Sequence, residues 1–327
     1  MNKKSKIILA VVIVIALMGI IISFGSRNVD KKEAEDKVQV EKEDKVEVPE
    51  SVRTEEEEPE ESVPEEPEAE EVPVKDREPE KYEWNPEWEY ASFSKIHTDG
   101  VWLYYSNAEN RKEKVVAVNA GHGTPGGSSV KTQCHPDGSA KVTGGSTAGG
   151  STMATAISTG MTFLDGTPEA EATLSLAEIL KTKLLENGYD VLMLREDGDC
   201  QLDNIARTVF ANAYADCHLS LHYDSTGNDK GFFYVSVPEN SSYRAMEPVA
   251  SCWQEHMNLG EAVLSGMRDN GLKIFGKGSM PIDLTQTSYS IIPSVDLEVG
   301  DKASDHSDQA QIRAAEGILL GLNLYFQ

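Results

Sequence analysis

The fold is decided by one stretch of the chain, Lys114-Val-Val-Ala-Val-Asn-Ala-Gly-His-Gly123. Its β-branched apolar run from Val115 to Val118 is typical of a strand buried on both faces of a parallel sheet. The glycines on either side of His122 allow a sharp turn where that strand ends. Because open α/β sheets bind ligands at the carboxyl ends of their strands, we interpret His122 as a metal ligand.

The rest of this region alternates between strand-like and helix-like patterns. Apolar runs predict further strands over 189–194, 217–222, 231–237 and 291–300. Apolar residues at helical spacing predict helices over 168–186, 203–214, 243–270 and 308–325. Residues 112–327 are therefore predicted to form one α/β catalytic domain, in which helices flank both faces of a single twisted, mostly parallel sheet.

The amino-terminal residues have the features of a membrane segment. An unbroken apolar run, residues 7–24, follows Lys3, Lys4 and Lys6 and has about the length needed to cross a bilayer. We predict a cytoplasmic tail (residues 1–6) and a transmembrane signal anchor (residues 7–25), with the remainder outside the cytoplasm. Basic residues just beyond the run weaken the charge asymmetry, so a cleaved signal peptide and secretion are the alternative.

Residues 26–81 consist mainly of Glu, Pro, Val and Lys, with Glu55-Glu-Glu-Glu58 at the centre. A segment with so few apolar side chains cannot offset the entropy of ordering its chain, so we predict a disordered acidic linker. More than half of the net charge of −25 lies here. The folded region is then only mildly acidic, which gives no indication of a partner but argues against nucleic acid. The oligomeric state stays open.

Residues 82–111 form an extension with a high density of aromatic side chains. Packing against the domain is the preferred interpretation, and a platform for stacking carbohydrate is the alternative. Trp102-Leu-Tyr-Tyr105 is compatible with an added edge strand. The aromatic residues are Tyr82, Trp84, Trp88, Tyr90, Phe93, Trp102, Tyr104 and Tyr105.

A second histidine candidate lies in the strand predicted over 217–222. His218 and His222 are four residues apart, which corresponds to about 13 Å along a strand. The two imidazoles therefore cannot both reach one zinc ion at about 2 Å. His222 is at the carboxyl end of the strand, the same edge as His122, and is the predicted ligand, whereas His218 is interpreted as structural.

Two glutamates complete the candidate site. Glu169 begins a helix, where the helix dipole alone favours acidic residues and would also account for Glu171. Glu169 is the preferred ligand because the loop from His122 leads to the start of this helix. Glu298 lies near the end of the last strand between Leu297 and Val299, where a carboxylate is unfavourable unless it has a partner or a function.

Together these residues predict a catalytic zinc site. Two histidines and one glutamate with an open fourth position are a ligand set of zinc hydrolases: His122, His222 and Glu169. Zinc lowers the pKa of a bound water and polarises a carbonyl. A further carboxylate must take the proton from that water and pass it to the leaving amine, and Glu298 is assigned this role.

The long Gly/Ser/Thr-rich segment, residues 124–166, lies between His122 and Glu169 and is predicted to border the site. His135, within it, is a minor candidate for a ligand. The chain also has four cysteines, Cys134, Cys200, Cys217 and Cys252. In an exported protein these could form disulfides, but their spacings do not indicate a cysteine-based zinc site.

The ordered motifs of the domain resemble those of the zinc-dependent N-acetylmuramoyl-L-alanine amidases, the Amidase_3 family. The resemblance implies zinc on His122, Glu169 and His222, and Glu298 as the catalytic glutamate. It also implies peptidoglycan as substrate, cleaved at the amide between the lactyl group of muramic acid and L-alanine. The predicted signal anchor places the catalytic domain on the cell-wall side of the membrane. The motifs are Val116-Ala-Val-Asn-Ala-Gly-His-Gly123, Glu169 with Thr173-Leu174, Arg207 with Ala211-Asn212, Leu219-Ser-Leu-His222 and Val295-Asp-Leu-Glu-Val-Gly300.

The chain departs from the family pattern at three places. Thr173 stands where the family usually has Asn. Asp301 stands directly after Glu298-Val-Gly300, where the family usually has an apolar residue. Residues 124–166 form a longer segment than the common form has. Two alternatives to the amidase therefore stay open. One is a catalytically inactive amidase fold that binds peptidoglycan or regulates a partner, and the other is a different zinc peptidase that acts on the stem peptide.

Overall fold

The computed structural model describes residues 77–327, so the predicted tail, membrane segment and most of the predicted linker lie outside the described residues. The strands are β1 (Glu80–Tyr82), β2 (Val101–Tyr104), β3 (Val115–Ala120), β4 (Lys131–Gln133), β5 (Met153–Thr155), β6 (Asp190–Met193), β7 (Cys217–Asp224), β8 (Phe232–Ser236), β9 (Ile274–Pro281) and β10 (Ser294–Asp301). The helices are α1 (Glu169–Glu186), α2 (Asn204–Tyr214), α3 (Ser241–Arg244), α4 (Val249–Asp269), α5 (Thr285–Tyr289) and α6 (Asp308–Tyr325). Across residues 77–327, no helix is both long enough and apolar enough to span a bilayer.

The centre of the fold is an eight-stranded sheet in the order β1-β2-β6-β3-β7-β10-β8-β9. Its four middle strands, β6, β3, β7 and β10, are parallel, so their carboxyl ends meet at one edge. β2 and β8 run antiparallel to their neighbours β6 and β10, and β9 is parallel to β8. The sheet is therefore mixed, and the predicted parallel arrangement holds for its middle.

Helices cover both faces of the sheet, as the sequence predicted. Successive residues of β3 point to opposite faces. Val116 and Val118 belong to the main apolar core together with side chains of α1, α4 and α6. Ala117 belongs to a second core with Phe210 and other residues of α2. A continuous apolar strand such as β3 thus has a helical layer on either side.

The aromatic extension packs against the domain. Trp84 and Trp88 contact Phe210 of α2 at ring-centroid distances of 5.6 and 5.3 Å, and Tyr82 stacks on Tyr214 at 4.0 Å. Trp102 is the exception, since 37% of it is exposed. Strand β1 begins at Glu80, two residues before the boundary predicted between linker and extension, and β1 rather than β2 is the edge strand.

Three other details differ from the sequence prediction. The helix predicted over 243–270 is divided into α3 and α4, because Pro248 lacks the amide hydrogen that a continuous helix needs. β9 was not predicted, since Gly276 and Gly278 interrupt its apolar pattern. Residues 124–166 contain the antiparallel pair β4–β5. All four cysteines are free thiols in the structure.

Candidate metal centre

Three of the predicted residues meet at the carboxyl edge of the parallel strands. His122 follows β3, Glu169 is the first residue of α1, and His222 is near the end of β7. Nε2 of His122 is 2.9 Å from Oε1 of Glu169 and 3.0 Å from Nδ1 of His222, and that Nδ1 is 3.2 Å from the same Oε1. One nitrogen of each histidine and one carboxylate oxygen thus form a triangle with sides of about 3 Å.

This triangle fits a single zinc ion by its donor chemistry. All three ligand atoms lie within 4.8 Å of one another. Two ligands of a tetrahedral zinc site, each about 2.0 Å from the ion, are separated by about 3.3 Å. Imidazole nitrogen and carboxylate oxygen are both ligands that zinc accepts, and three protein ligands leave a fourth position open. The residues therefore suit the metal that the resemblance implies.

Burial and mutual charge shift the pKa values of all three side chains in the cluster. Burial lowers the pKa of His122, which favours the neutral imidazole that a metal binds. Burial would raise the pKa of Glu169, but the two imidazoles hold the pKa of this carboxyl well below its usual range. Burial likewise opposes protonation of His222, yet Asp296 and Glu169 raise its pKa to about 9 in the metal-free site. Negative charge therefore predominates around His222.

His122 is held in an unusual backbone conformation. Its φ of 66° lies in the left-handed region, which is unfavourable for a residue with a side chain. Arg207 donates to the carbonyl oxygens of His122 (2.7 Å) and Ala120 (2.8 Å), and Arg195 donates to those of Ala120 and Gly121 (both 3.0 Å). Two buried guanidinium groups thus fix the turn that presents His122 to the cluster.

The segment 124–166 borders the site, as predicted. Ser158 contacts Nδ1 of His122 through both its carbonyl oxygen and its hydroxyl, each at 3.0 Å. The amide of Met161 donates to Oε2 of Glu169 at 2.8 Å. A Cβ added to Gly160 would lie 2.7 Å from the ring of His122. This part of the insertion is therefore in direct contact with two of the proposed ligands.

Glu298 lies beside the triangle on the neighbouring strand. Its Cα is paired with that of His222 in the register of β10 and β7, so both side chains point to the same face of the sheet. Burial, followed by the charge of Asp296, raises the pKa of Glu298 to about 8. Its Oε2 is buried and accepts no hydrogen bond from the described residues. A carboxyl with these properties is suited to proton transfer near neutral pH.

The structure also excludes the weaker candidates from the cluster. Glu171 is exposed on α1, which supports the choice of Glu169. His135 instead contacts Asp283 at 3.0 Å, away from the triangle. His218 is fully buried and contacts the hydroxyl of Ser294, in agreement with a structural role.

Four residues at the site were not identified from the sequence. Ser158, Arg195 and Asp296 contact the ligands or the turn that carries them. Thr173, noted only as a departure, donates to the carbonyl oxygen of Gly121 at 2.9 Å. Of these four residues, only Asp296 could have been identified from the sequence. It lies two residues before Glu298 in the same apolar strand, where burying a carboxylate is unfavourable.

A largely buried cluster of two histidines and one carboxylate at the carboxyl edge of an α/β sheet, with a separate carboxyl beside it, is an arrangement found in metal-dependent hydrolases. The profile of one such family, Amidase_3, described as N-acetylmuramoyl-L-alanine amidase, matches residues 116–323. The chain belongs to this family. The prediction of a peptidoglycan amidase is thereby confirmed.

Solved structures of the same fold agree with this assignment. The N-acetylmuramyl-L-alanine amidase Ami1 from Mycobacterium smegmatis has a TM-score of 0.54 and 16% identity, over 67% of this chain and 99% of Ami1. The apo form of Ami1 from Mycobacterium abscessus has a TM-score of 0.53 and 18% identity, over 66% and 99% of the two chains. No curated protein sequence is significantly similar to the chain. At these identities the structural likeness establishes the fold.

Proposed function

We propose that the chain is a zinc-dependent N-acetylmuramoyl-L-alanine amidase in which His122, Glu169 and His222 hold the metal and Glu298 transfers the proton. The observation that carries the proposal is the triangle of ligand atoms, with sides of 2.9 to 3.2 Å, assembled from three distant parts of the chain. One buried carboxylate oxygen and two imidazole nitrogens at this spacing are the donor set that a zinc ion requires.

The reaction that suits the site is hydrolysis of the amide between the lactyl group of muramic acid and L-alanine. Zinc, when bound, supplies a Lewis acid that polarises the amide carbonyl and makes water a stronger nucleophile at neutral pH. Glu298 accepts a proton from the attacking water and delivers it to the nitrogen of L-alanine. The carbon–nitrogen bond breaks, and the products are a free lactyl carboxylate and a free amino group.

The open side of the metal centre determines how the polysaccharide approaches. Glu298 and His222 are neighbours across β10 and β7, so the proton acceptor lies next to the metal ligands on the same face. Residues 158–161 contact His122 and Glu169 and form another side of the site. We expect the substrate amide to lie beside Glu298, with the insertion contacting the flanking parts of the substrate.

Digestion of purified cell wall tests the proposed bond. Zinc-loaded protein should release free lactyl ends and free amino groups of L-alanine in equal amounts. Release of stem-peptide fragments with other new amino termini would instead identify a different peptidase. Binding to the wall without any new termini would identify an inactive amidase fold.

Paired glutamate variants test the proposed metal ligand. Glu169→Gln should lose zinc and activity, because the amide is a poor substitute for a carboxylate ligand. Glu171→Gln is the matched control two residues along the same helix, where the side chain is exposed, and it should retain both. Metal analysis of the two variants beside His122→Ala measures the outcome. Zinc in the Glu169→Gln and His122→Ala proteins at the wild-type ratio would refute the site.

A third variant separates chemistry from metal binding. Glu298→Gln should keep zinc and lose about 10²- to 10⁴-fold in turnover, the range attributed to a general base. Turnover near the wild-type value would show that another group transfers the proton.

A further inference from the structure

Each histidine of the triangle has a second ring nitrogen that points away from the triangle. The two histidines differ in the group that contacts this outward nitrogen. Nε2 of His122 points into the triangle, and its Nδ1 lies 3.0 Å from the carbonyl oxygen of Ser158, which can accept the proton of Nδ1. His222 uses Nδ1 in the triangle, so its Nε2 is the outward nitrogen. The outward nitrogen of His222 lies 3.7 Å from Oδ2 of Asp296.

Asp296 is a buried carboxylate that forms an ion pair only with His222 among the described residues. It lies in the middle of β10, between the core residues Val295 and Leu297, and is 8% exposed. Its Oδ1 is buried and has no hydrogen-bond partner among the described residues. His222 is the one basic group that forms an ion pair with it in residues 77–327. Burial of a carboxylate with one unsatisfied oxygen is unfavourable for the fold, so its presence calls for a function.

We propose that Asp296 is a positioning residue for His222, which accepts the proton of Nε2 and thereby directs Nδ1 toward the metal. The inference rests on the zinc site proposed above. A histidine that binds a metal through Nδ1 must carry its proton on Nε2, and such protons are usually donated to a carboxylate, a carbonyl or water. For His122 the acceptor is the carbonyl oxygen of Ser158. Among the described residues, the corresponding acceptor for His222 is the carboxylate of Asp296.

The distance and the position of Asp296 fit this role rather than that of a fourth ligand. At 3.7 Å the contact is longer than a hydrogen bond, and contacts of this kind in ligand-free sites often shorten when the site is filled. Asp296 is opposite Ser220 in the register of β10 and β7, whereas Glu298 is opposite His222 itself. Asp296 therefore lies deeper in the sheet, next to the nitrogen that faces away from the metal.

The test compares zinc dissociation constants and the melting temperatures of the metal-free proteins. Asp296→Leu should bind zinc about 10- to 100-fold more weakly, the usual effect of losing such a partner. Its metal-free melting temperature should change little, because an apolar side chain of similar volume fills the same space and His222 can release its proton once the charge of Asp296 is removed. Asp296→Asn keeps an oxygen acceptor at the same place and should recover much of the zinc affinity. Glu298→Gln, two residues along the same face, is the control and should bind zinc nearly as wild type does.

The outcomes separate this inference from the proposed function. Equal zinc affinities of wild type, Asp296→Leu and Asp296→Asn would overturn the positioning role and leave the metal site intact. A fall in metal-free stability that accompanies the loss of zinc in both Asp296 variants would show a structural role and would also overturn it. Failure of the wild-type protein to bind zinc would refute the metal site and this inference together.

Discussion

At the scale of single residues, Glu298 has a property that can be measured without substrate. Its folded-state pKa of about 8 lies above the ordinary value of 4.5, because the side chain is buried and near Asp296. Between these two values the folded protein holds a proton that the unfolded chain has released. The contribution of Glu298 to stability is therefore complete below about pH 4.5 and is lost as the pH rises through about 8.

We accordingly expect the free energy of unfolding of the metal-free protein to fall with rising pH more steeply in wild type than in Glu298→Gln. The difference in slope is at most about 1.4 kcal/mol per pH unit, the value for one proton. Urea unfolding in the presence of a chelator, at intervals between pH 5 and 8, measures it. The difference between the two curves reports the titration of Glu298 together with its interaction with Asp296 and His222. Parallel curves would show that the pKa of Glu298 is ordinary.

The site residues that could be predicted are those that lie at the end of a strand, or at the start of a helix, that the sequence pattern itself indicates. His122, His222 and Glu298 are at or near the ends of recognisable strands and Glu169 begins a recognisable helix, so one sheet edge collects them. Arg195 and Ser158 left no such signal. Their contacts with the turn at Gly121 and with His122 depend on long-range packing that local patterns do not contain.

At the scale of elements, the insertion between β3 and α1 is the part of the fold that the sequence described least well. Residues 124–166 were predicted to border the site, and the strands β4 and β5 within them were not identified. In the structure, buried Asp283 binds this segment through His135 at 3.0 Å and through the amides of Val142 (2.7 Å) and Thr143 (3.1 Å). These contacts come from residues about 140 positions apart, so neither periodicity nor composition could reveal them.

Two glycines of the insertion provide a matched test of its contact with the metal site. Gly160 and Gly150 have nearly equal φ values, 83° and 85°, so alanine at either position costs about 1–2 kcal/mol in backbone strain. A Cβ at Gly160 also lies 2.7 Å from the ring of His122 and 3.0 Å from Oε2 of Glu169, whereas a Cβ at Gly150 meets no atom within 4 Å.

Gly160→Ala should therefore displace His122 and reduce turnover, by up to about 10²-fold if the shift approaches 1 Å. Gly150→Ala should lose similar backbone stability and keep its turnover. Zinc affinity, turnover and urea unfolding of the two variants measure this difference. Equal turnover in both proteins would mean that the insertion moves aside and does not support the ligands.

Among the regular elements, strands with continuous β-branched runs and helices with clear periodicity were predicted closely. β3 and α6 are examples, since Val115 begins β3 and α6 spans Asp308–Tyr325 as expected. β9 escaped prediction because its two glycines and terminal Pro281 are typical of loops. The neighbouring strand β8 and the core residue Leu264 stabilise it instead, a tertiary effect that overrides local preference.

At the scale of the whole molecule, the amino-terminal segments stay predictions. We expect the apolar run, residues 7–24, to hold the protein in the membrane with its catalytic domain on the cell-wall side. The full chain of 35.8 kDa should then remain in membranes washed with alkaline carbonate. Ile15→Asp combined with Leu17→Asp should release it, because each charge in the centre of a span costs about 2.5–3.5 kcal/mol. A shorter protein in the medium would identify a cleaved signal peptide, and wild-type protein in the cytosol would contradict both possibilities.

The direction of β1 determines where the preceding chain joins the domain. β1 is antiparallel to β2 and β2 is antiparallel to β6, so β1 runs in the same sense as the central strands. Its last residue, Tyr82, is on the catalytic side, and Glu80 faces the opposite end of the sheet. The aromatic extension that follows is attached at two places, because β2 pairs with β6 in the sheet and Trp84 and Trp88 contact Phe210 of α2. Its removal would uncover the edge of β6 and an apolar face of α2 together.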